Sequence, residues 1–424
     1  MGDSYSVVIR KLDAFTAKDF EGDEAGRLQL IASAQKLVSR LETRHEKIFN
    51  LDFRNPTEYA AVRVCLDIGL WRQWTAGGGG EKTVEELAKL AEKDIEVNLL
   101  RRLLRLLGAT YIIEETGEDR YKPTEFSLSF GDESTTMPSA ILAMSDHWNP
   151  ASMNLPSFLA KTSYREPLDP KNSNYIDTFP EKLSFFDRCL SNQRYQDGFS
   201  GFMMEWSLYR ISWPEFYDTT ELVAGADLNS GAPLLVDIGG HHGHDILNFL
   251  KKYPDVPTGS LVIQDLEAVL AEAHLDTDKV KLMPHSFFEP QPIHGKITNN
   301  CCISEKEILD LSADHMICEI GSRAYFLRGI FHDWAYEPSL QILKNIVPAM
   351  KKGYSKLLVC DVVIPPSGAS TFQAGIDLNM MSLLSACERT EAQWRELLND
   401  AGYKITKIWM DHKGYEGLIE AELA

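Results

Sequence analysis

LLVDIGGHHGHD, residues 234–245, is an apolar run that ends in an acid and is followed by a glycine-rich turn. Because glycine has no Cβ, a main chain that turns through Gly239, Gly240 and Gly243 lies close to a bound ligand. The pattern predicts a strand, a tight turn and then a helix over residues 245–253. A glycine turn on a surface needs no ligand, so this motif alone is weak evidence for one.

A second apolar run, LVIQD at residues 261–265, follows the predicted helix and also ends in an acid. In open α/β sheets a carboxylate at such a strand tip accepts hydrogen bonds from the two hydroxyls of a ribose, a role that suits Asp265. Asp237 stands just before the glycines, where it would repel a diphosphate but attract an ammonium or a sulfonium. These residues favour S-adenosylmethionine over a dinucleotide as the cofactor.

The rest of the C-terminal half alternates strands and helices from residue 233 to residue 424. This alternation predicts an α/β fold with a doubly wound parallel sheet. We expect the last two strands, at residues 404–410 and 418–422, to lie at the far edge of that sheet.

Composition narrows the class of protein further. A chain of 424 residues, 44% of them hydrophobic, is globular and long enough for two domains. A formal net charge of -19 disfavours nucleic acid and anionic membranes as partners. The chain lacks an apolar run of the roughly 18 residues that a membrane span needs, and we expect no secretion signal because a basic segment followed by an apolar one is not found at the N-terminus. Its seven cysteines have no framework spacing, so we expect reduced thiols and a cytoplasmic location.

The segment RAYFLRGIFHDW, residues 323–334, closely resembles the signature around the catalytic histidine of the O-methyltransferases of plant and fungal secondary metabolism. Three further matches follow in the family's order: LLVCDVVIP at 357–365, DLNMM at 377–381 and ERTEAQW at 388–394. The resemblance implies a Rossmann-like methyltransferase sheet, S-adenosylmethionine as cofactor and an N-terminal winged-helix domain that forms homodimers.

Three residues are the candidates for catalysis. Methyl transfer needs a deprotonated oxygen aligned with the methyl group, and a histidine at the edge of the sheet is a natural base for it. His332 follows a predicted strand at residues 324–329. Asp361, which we expect to end the next strand, would orient the imidazole and stabilise its cation. The resemblance adds Glu388 as a second orienting acid, and it usually has Glu where this chain has Asp361.

The resemblance also implies the residues around the cofactor and the substrate. Gly239 and Gly240 would lie at the methionine end, and Arg328 and Trp334 near the adenosine. Ser286 stands where the family commonly has an acid for the adenine amino group. The predicted cofactor residues are Asp237, Gly239, Gly240, Gly243, Asp265, Leu266, Ser286, Phe287, Arg328 and Trp334. The predicted substrate residues are Phe202, Met203, Trp206, Asp333, Asp377 and Met380.

The N-terminal half divides into a helical arm at 1–55, a winged-helix dimerisation domain at 56–136 and a helical, aromatic-rich segment at 137–229 before the catalytic domain at 230–424. We expect helices over residues 28–50, 59–74, 84–93 and 97–107, and a two-stranded wing over residues 110–122. The helix over 97–107 is so rich in leucine that packing in a core or a dimer interface is favoured over DNA binding. The aromatic side chains of 137–229 fit either domain packing or the roof of a substrate pocket.

Residues 296–321 separate two motifs that the family joins directly, and they contain three cysteines. This segment fits a surface insertion, a translated intron or, less well, a zinc site. We expect no metal at the adjacent His241 and His242, because neighbouring side chains in a turn rarely converge on one ion.

Three functions are compatible with these motifs. The favoured one is a cytoplasmic, homodimeric O-methyltransferase that acts on a phenolic or enolic secondary metabolite with His332 as base. The alternative is a methyltransferase-like pericyclase or dehydratase that binds S-adenosylmethionine and uses its charge electrostatically. A non-catalytic dimerisation protein would require an empty cofactor site.

Overall fold

The structure, a computed structural model, describes residues 2–271, 273, 275, 277–295, 317–318 and 321–424. The remaining residues, which include most of the segment 296–321, lie outside this description. The chain forms two compact units, Met1–Asn149 with Arg188–Tyr209, and Pro150–Asp187 with Arg210–Ala424. The four-part division of the sequence stays a prediction.

The first unit is mostly helical and carries a small sheet. The short strands β1 (Lys82–Thr83), β2 (Ile113–Gly117) and β3 (Arg120–Pro123) pair in the order β1-β3-β2, so the predicted two-stranded wing gains a third strand. Its α-helices are Gly2–Ala14, Glu24–Leu41, Arg44–Phe49, Asn55–Asp67, Leu70–Ala76, Val84–Leu90, Val97–Ala109, Glu125–Ser129, Met137–Ala143 and Gln193–Tyr209.

Two helices predicted as continuous are each broken in two. The arm over 28–50 divides because Thr43 begins a new helix: its hydroxyl accepts the amide of Glu46, whose carboxylate accepts the amide of Thr43. The helix over 59–74 divides at Gly69, whose φ of 71° is not helical. The first helix, Gly2–Ala14, lies within the predicted helical arm at 1–55, although its bounds had no prediction of their own. The helix Val97–Ala109 does bury Leu100, Leu104 and Leu107 completely, in agreement with its interpretation as a packing helix.

The second unit contains the large sheet. Its strands are β4 (Leu235–Ile238), β5 (Leu261–Asp265), β6 (Val280–Pro284), β9 (Ala324–Arg328), β10 (Lys356–Ile364), β11 (Arg389–Thr390), β12 (Tyr403–Met410) and β13 (Glu416–Leu423). The two-residue strands β7 (His294–Gly295) and β8 (Ile317–Cys318) pair separately. The order is β12-β13-β10-β9-β4-β5-β6, with β11 beside β10. Strands β4, β5, β6, β9 and β10 are parallel to one another, and β13 is antiparallel to its neighbours β10 and β12. This arrangement confirms the predicted doubly wound fold with the last two strands at one edge.

Helices cover the sheet and account for its apolar strands. Along β9, Ala324 and Phe326 belong to one buried cluster whereas Tyr325 and Leu327 belong to another. A strand buried on both faces reads as a continuous apolar run, which is how these strands appear in the sequence. The helices mostly in this unit are Asn149–Lys161, Asn174–Thr178, Phe185–Cys189, Trp213–Phe216, Thr219–Ala224, His244–Lys252, Glu267–Leu270, Tyr336–Ile346, Thr371–Leu384 and Glu391–Asp400.

None of the helices in the described residues is long and apolar enough to cross a membrane. Four cysteines of the described ranges, Cys65, Cys189, Cys360 and Cys387, are free thiols.

Candidate active site

The glycine turn follows β4 at the carboxyl edge of the parallel sheet. Gly239 has a φ of 74°, and its amide donates to the carbonyl of Gln264 at 2.7 Å. A Cβ on Gly239 would lie 2.5 Å from Ile330, and one on Gly240 would lie 2.7 Å from the carboxyl group of Asp237. The turn therefore depends on glycine for its conformation and for its space.

Asp237 is a buried carboxyl group directly beneath this turn. Its side chain is almost fully buried, and its Oδ2 has no hydrogen-bond partner among the described residues. Burial raises the pKa of Asp237 well above its usual value, and the nearby Asp245 and Asp265 add to the rise. A buried acceptor without a donor is costly, so this oxygen fits a cationic ligand such as the ammonium group of S-adenosylmethionine.

Asp265 ends β5 and faces the same turn. Its Oδ2 accepts the amide of His241 at 2.9 Å, and its Oδ1 accepts the amide of Leu266 at 2.8 Å. A carboxylate has about four acceptor positions, so two remain for the hydroxyls of a ribose. His241 itself has a φ of 49°, which shows how tightly the turn bends against this acid.

His332 lies on a short 3-10 turn, Phe331–Asp333, just after β9. Its Nδ1 is 3.0 Å from Oε1 of Glu388, and its Nε2 is 3.5 Å from Oδ1 of Asp333. The side chain of His332 is 14% exposed and that of Glu388 only 1%. Burial alone would lower the pKa of His332, but the carboxyl groups of Asp333, Glu388 and Asp361 outweigh it and raise that pKa to about 10.

Asp361 belongs to the same cluster, although not at the place predicted. It lies inside β10, opposite Gly417 of β13, because that strand continues to Ile364. Burial raises the pKa of Asp361 to about 7 and the pKa of Asp333 to about 6. In both residues the charge of His332 acts to lower the pKa but does not outweigh burial. Three carboxyl groups and one imidazole are therefore so close that protonation of one depends on the others.

Arg328 ends β9 and is the centre of a buried ion-pair network. Its Nη1 is 2.7 Å from Asp245, and its Nη2 donates to Glu416 and, at 2.8 Å, to the carbonyl of Ile211. Glu416 also pairs with Arg210 at 2.7 Å. Both terminal nitrogens of Arg328 are thus engaged by the protein, and its predicted place near the adenosine stays a prediction.

The other predicted cofactor residues lie around the same edge. Trp334 packs against the aromatic pair that follows Ser286: its ring centroid is 6.1 Å from Phe287 and 4.7 Å from Phe288. The hydroxyl of Ser286 accepts the amide of Phe288 at 3.3 Å. Leu266 is 57% exposed beside Asp265.

The predicted substrate residues are divided between the two units. Asp377 and Met380 share the helix Thr371–Leu384, where Asp377 accepts the amide of Glu388 at 2.9 Å. Phe202, Met203 and Trp206 lie on the helix Gln193–Tyr209 of the first unit. Their contribution to a substrate pocket stays a prediction.

Two residues of the site had no assigned role in the sequence. Asp245 ends the glycine motif and pairs with Arg328, and Arg389 follows Glu388 and donates to the backbone around His332. In the sequence, the one signal for these residues was that Asp245 lies in the glycine motif at 234–245 and Arg389 lies in the family motif at 388–394. In the described part of the chain, no cluster of three or more His, Cys, Asp or Glu side chains is arranged to hold a metal ion.

Comparisons with known proteins identify the family and the fold. Residues 313–404 match the family described as O-methyltransferase domain. The O-methyltransferase ATR12 of Stachybotrys chlorohalonatus (strain IBT 40285) is 44% identical over 423 residues, which cover 100% of both chains. A solved structure of LepI in complex with SAM has a TM-score of 0.83 and 25% identity, with 100% of both chains covered. A second solved structure, described as a pericyclic reaction enzyme, has a TM-score of 0.82 and 24% identity. The match covers 99% of this chain and 100% of that chain, and it shows a shared fold. The chain belongs to the family of S-adenosylmethionine-dependent O-methyltransferases.

Proposed function

We propose that this enzyme methylates a phenolic or enolic hydroxyl of a small secondary metabolite, with His332 as the general base. The observation that carries the proposal is the contact between Nδ1 of His332 and Glu388, 3.0 Å long and shielded from solvent. A proton held at Nδ1 leaves Nε2 to accept the proton of the hydroxyl.

The cofactor residues fit this reaction. S-adenosylmethionine supplies an electrophilic methyl group on a positively charged sulfur. In the proposal, the orphaned oxygen of Asp237 accepts the ammonium group and Asp265 accepts the ribose hydroxyls. The glycine turn lets the cofactor approach the main chain, and Ser286, Phe287, Arg328 and Trp334 complete the adenosine side.

The raised pKa of His332 has a consequence for the order of events. With a pKa of about 10, the imidazole carries its proton at neutral pH in the absence of ligands. When bound, the sulfonium of S-adenosylmethionine would be a like charge that lowers the pKa of His332 towards working pH. His332 would then act as the base, and Asp333 and Asp361 would stabilise the imidazolium that forms.

The surface of the N-terminal residues supports homodimerisation. Several large apolar side chains of this arm are exposed: Tyr5, Val8, Ile9, Phe15, Val38, Leu41, Phe49, Leu51 and Phe53. An apolar surface of this kind is characteristic of an interface, and we propose a second copy of the chain as its partner. Analytical ultracentrifugation of the full chain and of a Leu41→Glu, Phe53→Glu variant tests this, and a monomer in both cases contradicts it.

The activity is tested with methyl-labelled S-adenosylmethionine and a panel of phenolic and enolic polyketides, followed by mass spectrometry. The expected product gains one CH₂ unit and the label, and His332→Ala removes it whereas His412→Ala, at an exposed turn, does not. A product of unchanged mass that forms in the presence of the cofactor would instead support a pericyclase, and a product lighter by one water would support a dehydratase. Failure to bind the cofactor in calorimetry would support a non-catalytic protein.

A further inference from the structure

Arg389 is a buried arginine whose hydrogen bonds all reach the backbone and side chains around the His332 turn. It is 3% exposed and begins β11, the two-residue strand beside β10. Its Nη1 donates to the carbonyl of Phe331 at 2.7 Å, and its Nη2 donates to the carbonyl of Trp334 at 2.7 Å and to the hydroxyl of Ser339 at 3.0 Å. The two carbonyls flank His332 and Asp333 on either side.

The chemistry of this contact is specific to arginine. Among the described residues the carbonyls of Phe331 and Trp334 each have one other donor, the amide of Trp334 at 3.2 Å and the hydroxyl of Ser339 at 3.1 Å, and Arg389 adds a second donor to both. A guanidinium presents its nitrogens in a rigid plane and reaches both carbonyls at once, whereas an ammonium is a point donor on a flexible stem. The guanidinium of Arg389 also lies 5.4 Å from the ring centre of Trp394, which limits its movement.

The neighbouring Glu388 contacts the same turn from the other side. Its carboxylate meets the imidazole of His332, and its amide donates to Asp377 at 2.9 Å. Glu388, which directly precedes β11, and Arg389, its first residue, therefore fix the ring of His332 and the backbone that carries it. Because β11 pairs with Val363 and Ile364 of β10, both contacts are anchored to the large sheet.

We propose that Arg389 is a positioning residue for His332: its guanidinium fork holds the carbonyls of Phe331 and Trp334 so that the imidazole keeps its contact with Glu388. The inference rests on the proposed role of His332. Among the described residues no carboxylate forms an ion pair with Arg389, and a buried cation without one is costly. Burial raises the pKa of Asp361 to about 7, and the charge of Arg389 opposes this rise.

Three variants separate positioning from stability. Arg389→Lys keeps the charge and removes the fork, and Arg389→Met removes both. Arg323→Lys is the matched control, since Arg323 is also a buried arginine that donates to backbone carbonyls, those of Leu222, Tyr354 and Glu221, at the opposite end of β9.

The first readout does not depend on turnover. In the full chain with bound S-adenosylmethionine, the NMR signal of the Nδ1 proton of His332, assigned through His332→Ala, reports its contact with Glu388. We expect Arg389→Lys and Arg389→Met to increase the rate at which this proton exchanges with water by roughly 10-fold or more. In both variants the guanidinium no longer holds the carbonyls of Phe331 and Trp334. Arg323→Lys should leave the exchange rate within about twofold of wild type.

The second readout is turnover with the product-forming substrate of the panel. Arg389→Lys should lower kcat roughly 10- to 100-fold, with the Kd for the cofactor within about twofold. Equal effects of Arg389→Lys and Arg323→Lys on proton exchange and kcat would overturn the proposal, because both would then act through stability alone. If His332→Ala retains full turnover while proton exchange in Arg389→Lys still rises, the role of His332 fails and the positioning of its ring by Arg389 stands.

Discussion

Oε1 of Glu388 lies 3.0 Å from Nδ1 of His332, although the two residues are 56 positions apart in the chain. The glutamate side chain is almost fully buried, so water does not compete for this contact. A histidine held through one nitrogen presents the other in a fixed direction, which is what a general base requires.

Replacement of His332 by alanine should therefore lower turnover by roughly 10²-fold or more and leave cofactor affinity unchanged. The imidazole is far less exposed than a surface histidine, so His412→Ala is a control for histidine loss alone. Steady-state kinetics with the product-forming substrate and calorimetry with S-adenosylmethionine measure the two quantities. Turnover of His332→Ala within about twofold of wild type would remove this residue from the mechanism.

Much of this site could be predicted from the sequence because its residues follow strands. The strand Leu261–Asp265 has the predicted bounds. Its apolar residues are buried on both faces of the sheet, and Asp265 ends the strand at the sheet edge. His332 was placed after β9 for the same reason. Parallel strands bring their carboxyl ends to one edge of the sheet. Residues that follow such strands can therefore be predicted to lie close together even when they are far apart in the sequence.

The contacts that the sequence did not reveal depend on packing between elements. Asp361 was expected at a strand end but lies inside β10, because nothing in the sequence fixes where pairing with β13 stops. Arg389 reaches Phe331 across 58 residues, and the pairing of a two-residue strand has no periodic signal. The break at Thr43 was readable as a capping box but was hidden by the apolar spacing on both sides.

Asp361→Asn should gain stability relative to wild type as the pH rises from about 4 to about 7. The pKa of Asp361 in the folded state, about 7, lies above the value of about 3.9 in an unfolded chain, so the native state holds its proton more tightly. The stability due to that proton is complete below about pH 4 and is lost as the pH rises to about 7. Asparagine does not ionise. The free energy of unfolding of the variant, relative to that of wild type, should therefore increase by about 2 kcal/mol or more across this range.

Urea unfolding of Asp361→Asn and wild type at pH 5 and pH 8 measures this gain. Asp255→Asn, at an exposed position, serves as the control for the loss of a surface carboxyl group. A difference for Asp361→Asn that is the same at both pH values would show that the carboxyl group of Asp361 is not protonated in the native state near neutrality.

Asp265→Ala should weaken the binding of S-adenosylmethionine by roughly 1.5–3 kcal/mol, the loss expected for a charged hydrogen-bond acceptor. The carboxylate also accepts the amide of His241, so the variant loosens the glycine turn as well. Calorimetry at one pH and ionic strength measures the affinity, with Asp255→Ala as a charge-matched control. Unchanged affinity in Asp265→Ala would place the ribose elsewhere.

Arg328→Met should destabilise the second unit by roughly 3–5 kcal/mol, because it leaves buried carboxylates without their partner. Arg328 is 3% exposed in its side chain and pairs with both Asp245 and Glu416. Burial acts to raise the pKa of Glu416, but Arg210 and Arg328 outweigh it and hold that pKa below its usual value, so the loss of Arg328 removes part of what stabilises this buried carboxylate. Arg395→Met is the matched control: Arg395 pairs with Glu391 on an exposed helix face and is 53% exposed, so its loss should cost less than about 1 kcal/mol. Urea midpoints of the two variants at pH 7 measure the difference, and equal midpoints would show that the buried network does not stabilise the fold.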